Sequence, residues 1–291
     1  MLSATATVVV FPGQGSQTAD MRELVETARP DLLEACLELI GDDPFARIDE
    51  STAYAQPAIL CASLASWSRL SGHVDPVAVA GHSLGELTAL AAAGALDDHA
   101  ALELVVLRGR LMADSGEAAG GGTMLALLGG TPAQAAKLAS RHGVSLANDN
   151  APGQVVLSGD PDRLAEAATA ARADGLRAMA LDVAGAFHSP QMAAAVEPFA
   201  EALGAVDWRE PVVPVLSCST AAPFVDPVRE LSQALVRPVQ WRRTMEALVA
   251  AGATTVVDAG PGKVLAKLAR RCAPDVASAP AATLLESADV A

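Results

Sequence analysis

The chain of 291 residues predicts an α/β protein, a parallel sheet flanked by helices, with a smaller β-α-β-β-α-β unit set into it. Three observations carry that prediction. Short β-branched runs alternate with longer helical stretches, the pattern of a parallel sheet with helical crossovers. The segment "VAVAGHSLGELTALAAAGAL" (Val77–Leu96) reads as strand, tight turn and helix, with Gly-x-Ser-x-Gly at the turn. Between Thr123 and Val183 the order becomes strand, helix, strand, strand, helix, strand, which is the ferredoxin-like sequence of elements.

The elements follow in order. "ATVVVF" (Ala6–Phe11) is a strand, "GQGSQ" a turn, and Met21 to Ile40 polar helical sequence. "PAILCASLASWSRL" (Pro57–Leu70) is an apolar helix ahead of the strand Val77–Ala80. "DDHAALELVVLRGRLMADSG" (Asp97–Gly116) is a further helix, after which the glycine cluster Gly120–Gly122 marks a hinge or entry loop. The smaller unit comprises the strand in "TMLALL", the helix "TPAQAAKLASRHG", the strands "VSLANDN" and "QVVLSGD", the helix "PDRLAEAATAARADG" and the strand "LRAMALDV". This assigns 1–122 and 184–291 to a large α/β domain and 123–183 to an insert.

Composition narrows the function. Half of the residues (51%) are hydrophobic and 19% charged, as in an ordinary globular protein. A formal charge of −14 with 3% aromatic residues argues against nucleic-acid binding, which needs basic patches and stacking rings. No apolar run reaches the length of a membrane span, so no membrane association is expected. The stretch "MLSATATVVVF" lacks the basic and long apolar regions of a signal peptide. Cys36, Cys61, Cys218 and Cys272 show neither a disulfide framework nor a zinc spacing, which fits a reducing cytoplasm and no metal.

Two glycine motifs resemble nucleotide loops and fail in detail. "GQGSQT" (Gly13–Thr18) has Thr18 where the dinucleotide fingerprint has its third glycine. "GPGKVL" (Gly260–Leu265) has Val264 where a phosphate loop has Ser or Thr.

Ser83 has two readings. A serine at a strand-to-helix junction can cap the helix by accepting backbone N–H bonds. A nucleophile elbow instead needs glycine on both sides, because side chains there would collide with strand or helix. A serine nucleophile also needs a base, and among five histidines His188, in "VAGAFHSPQM", stands where the chain leaves the insert and a cleft would form. His82 is expected on the opposite side of the elbow; His73, His99 and His142 lie in polar sequence. A helix-capping surface role for His188 stays open. No acid is evident, since Asp182 is close in sequence and Asp258 follows; a backbone carbonyl fixes a tautomer equally well.

"FPGQGSQ" (Phe11–Gln17), "GHSLGE" (Gly81–Glu86), "RGRLM" (Arg108–Met112), "NAPGQVVLSG" (Asn150–Gly159), "GAFHSPQM" (Gly185–Met192), "PVQW" (Pro238–Trp241) and "AGPGKVL" (Ala259–Leu265) appear in order. Together they resemble the malonyl-CoA:acyl-carrier-protein transacylase family, over nearly the whole chain. That family includes the fatty-acid enzyme and the acyltransferases of polyketide synthesis, and the resemblance implies a hydrolase-like α/β domain with a ferredoxin-like insert.

The resemblance also implies roles. Ser83 would attack the thioester, and His188 would accept its proton, oriented by the main-chain carbonyl of Gln240. The N–H groups of Leu84 and Gln14 would form the oxyanion hole. Arg108 would bind the malonyl carboxylate, for which a guanidinium offers two parallel donors; Arg110 would face elsewhere. Phe187 resembles the malonyl-type pattern and would crowd a branching methyl, and Met112 and Asn150 would line the substrate site. Malonyl-CoA and an acyl carrier protein are the implied substrates, with no cofactor, in a cytoplasmic monomer. A thioester hydrolase acting on acyl carrier proteins is the alternative, with less need of Arg108. Leu87, Asp149 and Asp258 depart from the usual family residues. An acidic carrier would need a basic patch, for which Arg242, Arg243, Lys263, Lys267, Arg270 and Arg271 are candidates, ahead of Arg141, Arg163 and Arg172 in the insert.

Overall fold

The computed structural model describes residues 6–183 and 185–288. Met1–Thr5, where the leader reading begins, Ala184, the first residue of the second large-domain segment, and 289–291 lie outside the described residues.

β1 (Thr7–Phe11) is covered on both faces: Val8, Val9, Val10 and Phe11 are buried. A continuous apolar run is what a central strand of a parallel sheet needs. Met21 to Ile40 forms two helices rather than one, α1 (Met21–Ala28) and α2 (Pro30–Ile40). Pro30 carries no N–H and disfavours helical backbone at Arg29, whose φ is −145°. α3 (Thr52–Leu70) begins before the predicted Pro57, where the Ser51 hydroxyl accepts the Ala53 N–H at 3.2 Å. The cap outweighs a proline in the second turn.

β2 (Ala78–Gly81) leads into α4 (Gly85–Ala92), and Asp97 caps α5 (Asp98–Ala118). Then come β3 (Thr123–Leu128), α6 (Pro132–His142), β4 (Ser145–Ala151), β5 (Gln154–Gly159), α7 (Pro161–Ala173) and β6 (Arg177–Leu181). A 3-10 turn at Pro190–Met192 opens the return, followed by α8 (Ala193–Gly204), β7 (Val215–Ser217), β8 (Ala222–Pro223) and α9 (Pro227–Ala234). The described chain closes with α10 (Trp241–Ala250), β9 (Thr255–Asp258), α11 (Val264–Cys272), β10 (Ala277–Pro280) and α12 (Ala281–Ala288). β10, "ASAP", has little strand propensity and was not expected; it lies at the sheet edge, where a proline does least harm.

The larger sheet runs β10-β9-β1-β2-β7-β8, parallel except for the short β7–β8 pair. The smaller sheet, β4-β5-β3-β6, is antiparallel throughout, with α6 and α7 against it. The smaller sheet joins the larger domain at a backbone bridge from Val239, in the link between α9 and α10: Asp149 N–H bonds the Val239 carbonyl and Val239 N–H bonds the Ala147 carbonyl, each at 2.8 Å.

The carboxyl ends of β1 and β2 face this junction, and two glycines let them do so. A Cβ at Gly81 would stand 1.9 Å from the Gly85 carbonyl carbon, and one at Gly85 would stand 2.0 Å from the Phe11 oxygen. The first turn of α4 therefore rests directly on strand backbone. Gly85→Ala should destabilise the fold by about 3 kcal/mol or more, because the clash is with backbone that cannot rotate away. A urea titration showing a loss under about 0.5 kcal/mol would contradict this packing.

Candidate active site

Between strand and helix, Ser83 is held at φ 53°, a left-handed conformation that costs an ordinary residue energy and persists only where packing imposes it. The Gly85 N–H bonds the His82 carbonyl and the Glu86 N–H the Ser83 carbonyl, each at 3.0 Å, so α4 starts immediately behind the serine. The serine does not cap that helix: its hydroxyl lies 2.8 Å from His188 Nε2. His188 is likewise left-handed, at φ 56°. Elbow and histidine thus meet across 105 residues of chain.

His188 Nδ1 lies 2.8 Å from the Ala234 carbonyl and 3.1 Å from the Arg237 carbonyl. Both are acceptors only, so Nδ1 carries the proton and Nε2 presents its lone pair to Ser83. The Gln240 carbonyl does not take this role, which corrects the expectation. It accepts the Thr244 N–H at 3.0 Å and the Thr244 hydroxyl at 3.2 Å, because Gln240 opens α10 and its oxygen is that helix's first acceptor. Ala234 ends α9, so its carbonyl belongs to the last turn, where oxygens lack helical partners. Burial first, and the nearby Arg108 charge second, push the His188 pKa down to about 4, leaving a neutral imidazole at pH 7.

Arg108 is 4% exposed. Its Nη1 donates to Gln56 Oε1 at 2.5 Å and its Nη2 to Ser83 Oγ at 3.1 Å. Gln56 Nε2 in turn donates to Thr52 Oγ1 at 2.7 Å, and Thr52 Oγ1 to Gln14 Oε1 at 2.6 Å. Every one of these partners is neutral. Burial lowers the Arg108 pKa to about 10, which still leaves it charged, and among the described residues no carboxylate forms an ion pair with it. The Glu86 carboxyl acts on it only from beyond contact, and a buried cation with no carboxylate against it is costly unless an anion visits it. Gln56 and Thr52 were not identified from sequence; the signal was a polar glutamine set in the apolar run "AQPAILCAS", which, once buried, must find partners.

The cavity at this point is lined by Gln14, Ser83, Leu84, Arg108, Met112, Asn150, Phe187 and His188, so the structure brings together all the expected side chains except that of Gln240. Asn148 also lines it and was not foreseen. The Phe187 ring packs on Gly185, where a Cβ would stand 2.5 Å from it. His82 departs from expectation. It faces the same cavity, with Nε2 2.8 Å from Asn150 Oδ1 and its ring 5.3 Å from that of Trp241, because the left-handed residue after it breaks strand alternation.

Beneath the elbow, Glu86 is 1% exposed and its Oε1 accepts the Cys218 N–H at 2.7 Å and the Ser217 hydroxyl at 3.0 Å. Cys218 Sγ accepts the Ser83 N–H at 3.3 Å, so this layer holds the nucleophile's backbone. Of the proposed basic patch, Arg242 is paired to Asp149 and Glu246, and Arg271 reaches the Pro152 carbonyl, while Lys263, Lys267 and Arg270 are exposed. Among the described residues no helix is long and apolar enough to cross a membrane.

A strained serine, a neutral histidine with a fixed tautomer and a buried cation form equipment for covalent acyl transfer from an anionic acyl group. Residues 8–288 match the model of the acyl transferase domain. The chain belongs to that family. It is 36% identical over 286 residues to the malonyl CoA-acyl carrier protein transacylase of Escherichia coli K12, covering 90% of this chain and 91% of that protein. It superposes with a TM-score of 0.90 on the crystal structure of the malonyl-CoA:acyl carrier protein transacylase of Xanthomonas oryzae, at 33% identity and covering 99% and 98% of the two chains. A malonyl-transacylase solved in complex with a type II polyketide acyl carrier protein matches at TM-score 0.89 and 30% identity, over 97% and 100%.

Burial raises the Glu86 pKa from 4.5 to about 7, so the folded state holds a proton that the unfolded chain releases. Stability from this group is full below about 4.5 and declines as pH rises towards 7. Glu86→Gln cannot titrate, so its stability relative to the parent should climb across that window by up to about 3 kcal/mol and then level. A pH series of chemical denaturation measures this; a difference that stays flat would contradict the buried protonation.

Proposed function

We propose that the protein moves a malonyl group from malonyl-CoA to the phosphopantetheine thiol of an acyl carrier protein through an acyl-serine intermediate. The observation that carries this reading is Arg108, a buried guanidinium 3.1 Å from Ser83 Oγ with only neutral partners. A carboxylated acyl group supplies the missing charge at the distance from the nucleophile that its own length sets. The names of the relatives agree with it. A thioester hydrolase gains no such support, and it would leave the buried cation without a purpose.

In the first half-reaction, Ser83 Oγ attacks the thioester carbon while its proton passes to His188 Nε2. The Ala234 and Arg237 carbonyls hold Nδ1–H and stabilise the imidazolium. The N–H groups of Leu84, at the head of α4, and Gln14 face the developing oxyanion. Collapse expels coenzyme A as its thiol, protonated by His188. In the second, the carrier's thiol gives its proton to His188 and attacks the serine ester, and Ser83 Oγ recovers its proton as it leaves. The route draws on no cofactor. The malonyl carboxylate also neutralises Arg108, the second cause of the low His188 pKa, so the base strengthens when the right acyl group is bound. Phe187 and Met112 wall the acyl group, and the unit 123–183, read as an insert, closes the site over it.

Incubation with malonyl-CoA should add one malonyl mass to the protein, and Ser83→Ala should abolish it; an adduct that survives in the intact-protein mass spectrum refutes the assignment. Arg108→Ala should slow malonyl loading by about 100-fold or more, as expected for a desolvated charge pair, and change acetyl loading little. Equal losses with both acyl-CoAs would assign Arg108 to folding instead.

A further inference from the structure

Asp149 lies between two cavity-lining asparagines and Arg242 was a candidate for a carrier-binding patch, yet the two meet. Arg242 Nε lies 3.2 Å from Asp149 Oδ1 and 3.1 Å from Oδ2, and Nη2 lies 2.8 Å from Oδ2. The fork is braced from behind, with Nη1 on Glu246 at 2.7 Å. The Asp149 side chain is 9% exposed, so this is not a loose surface pair. The contact joins α10, behind the larger sheet, to β4 of the smaller one. Arg271 of α11 adds to the grip through the Pro152 carbonyl in the β4–β5 turn, at 2.8 Å, and Gln154 Oε1 at the start of β5.

Adjacent strand residues face opposite ways. While Asp149 is held from outside, Asn148 and Asn150 line the acyl cavity, and Asn150 reaches His82. The β4 ladder is irregular on both sides of this point, with register shifts between Leu146 and Asn148 and between Asp149 and Ala151. Such irregularities bend a strand and re-aim its side chains, so here the line of β4 depends on its outside contacts as well as its ladder: the backbone bridge at Val239 and the Arg242 fork. We propose that Arg242 and Asp149 form a latch that fixes the β4–β5 wall of the cavity and thereby limits the size of acyl group that Ser83 accepts. Both are positioning residues: neither lines the cavity, and they act through Asn148 and Asn150.

The specificity part rests on the acyl-transfer reading; the latch itself does not. The test uses Asp149→Asn, Arg242→Gln, the pair together, and Arg242→Lys, which keeps charge but loses the fork. Loading of Ser83 by malonyl-CoA and methylmalonyl-CoA is followed by intact mass, and amide exchange over 145–151 by peptide mass. Each single variant should raise the methylmalonyl-to-malonyl ratio by about fivefold or more, within the range that one methyl commands in a pocket. The double variant should match the singles, and Arg242→Lys should fall between. Exchange over 145–151 should quicken while distant segments stay unchanged. Equal loss for both acyl groups, or a ratio unchanged beside faster exchange, overturns the specificity role. Unchanged exchange in folded variants overturns the latch. Should the parent take no acyl group from malonyl-CoA, the function fails while exchange still decides the latch.

Discussion

The contact on which the site depends is between backbones. Gly81 and Gly85 bring the end of β2 and the start of α4 within touching distance of each other and of Phe11, closer than any side chain permits. With strand and helix that near, the residue between them has no relaxed conformation, and Ser83 is driven left-handed. The serine hydroxyl then stands clear of the helix it would otherwise cap and meets His188 Nε2 at 2.8 Å. One packing constraint thus presents the nucleophile to its base.

Electrostatics around that point are arranged by burial rather than by ion pairs. Arg108, His188 and Glu86 all lie out of water, and each is pushed towards its neutral form. Arg108 keeps its charge because its intrinsic basicity is so high, and its field reaches both other groups. The site is therefore set with a positive charge and a neutral base. A substrate carboxylate changes both at once, a coupling that a surface arginine would lose to solvent screening.

The cavity belongs to neither sheet alone. The larger sheet contributes the elbow, the "GQGSQ" turn and, through α3 and α5, the Gln56–Arg108 pair. The smaller sheet contributes Asn148, Asn150 and Val156, and the turn that follows β6 carries Phe187 and His188. Its shape follows from how the sheets are joined: the bridge at Val239, the His82–Asn150 bond, and two arginines gripping the β4–β5 hairpin.

Local physics wrote much of this into the chain. Gly-x-Ser-x-Gly between a strand and a helix, the alternation of elements and the order within 123–183 depend on neighbours a few residues apart, so the elbow, β1, β2 and the smaller sheet were legible, while the strands after it were not read one by one. Ordered motifs resembling one family named His188, Arg108, Phe187 and Asn150. Partners from distant segments were not legible. A glutamine carbonyl was expected to orient His188, but which oxygen is free depends on where α9 ends and α10 begins, so Ala234 and Arg237 fill that place. Gln56 lay outside the helix expected from Pro57; α3 instead begins at Thr52 and places it against Arg108 of α5. Arg242 and Arg271 looked like surface charge until β4 and its turn came within reach. Sequence determines which groups exist and their local geometry; tertiary packing alone decides which are left unpaired, and in a buried site that sets both charge and reactivity.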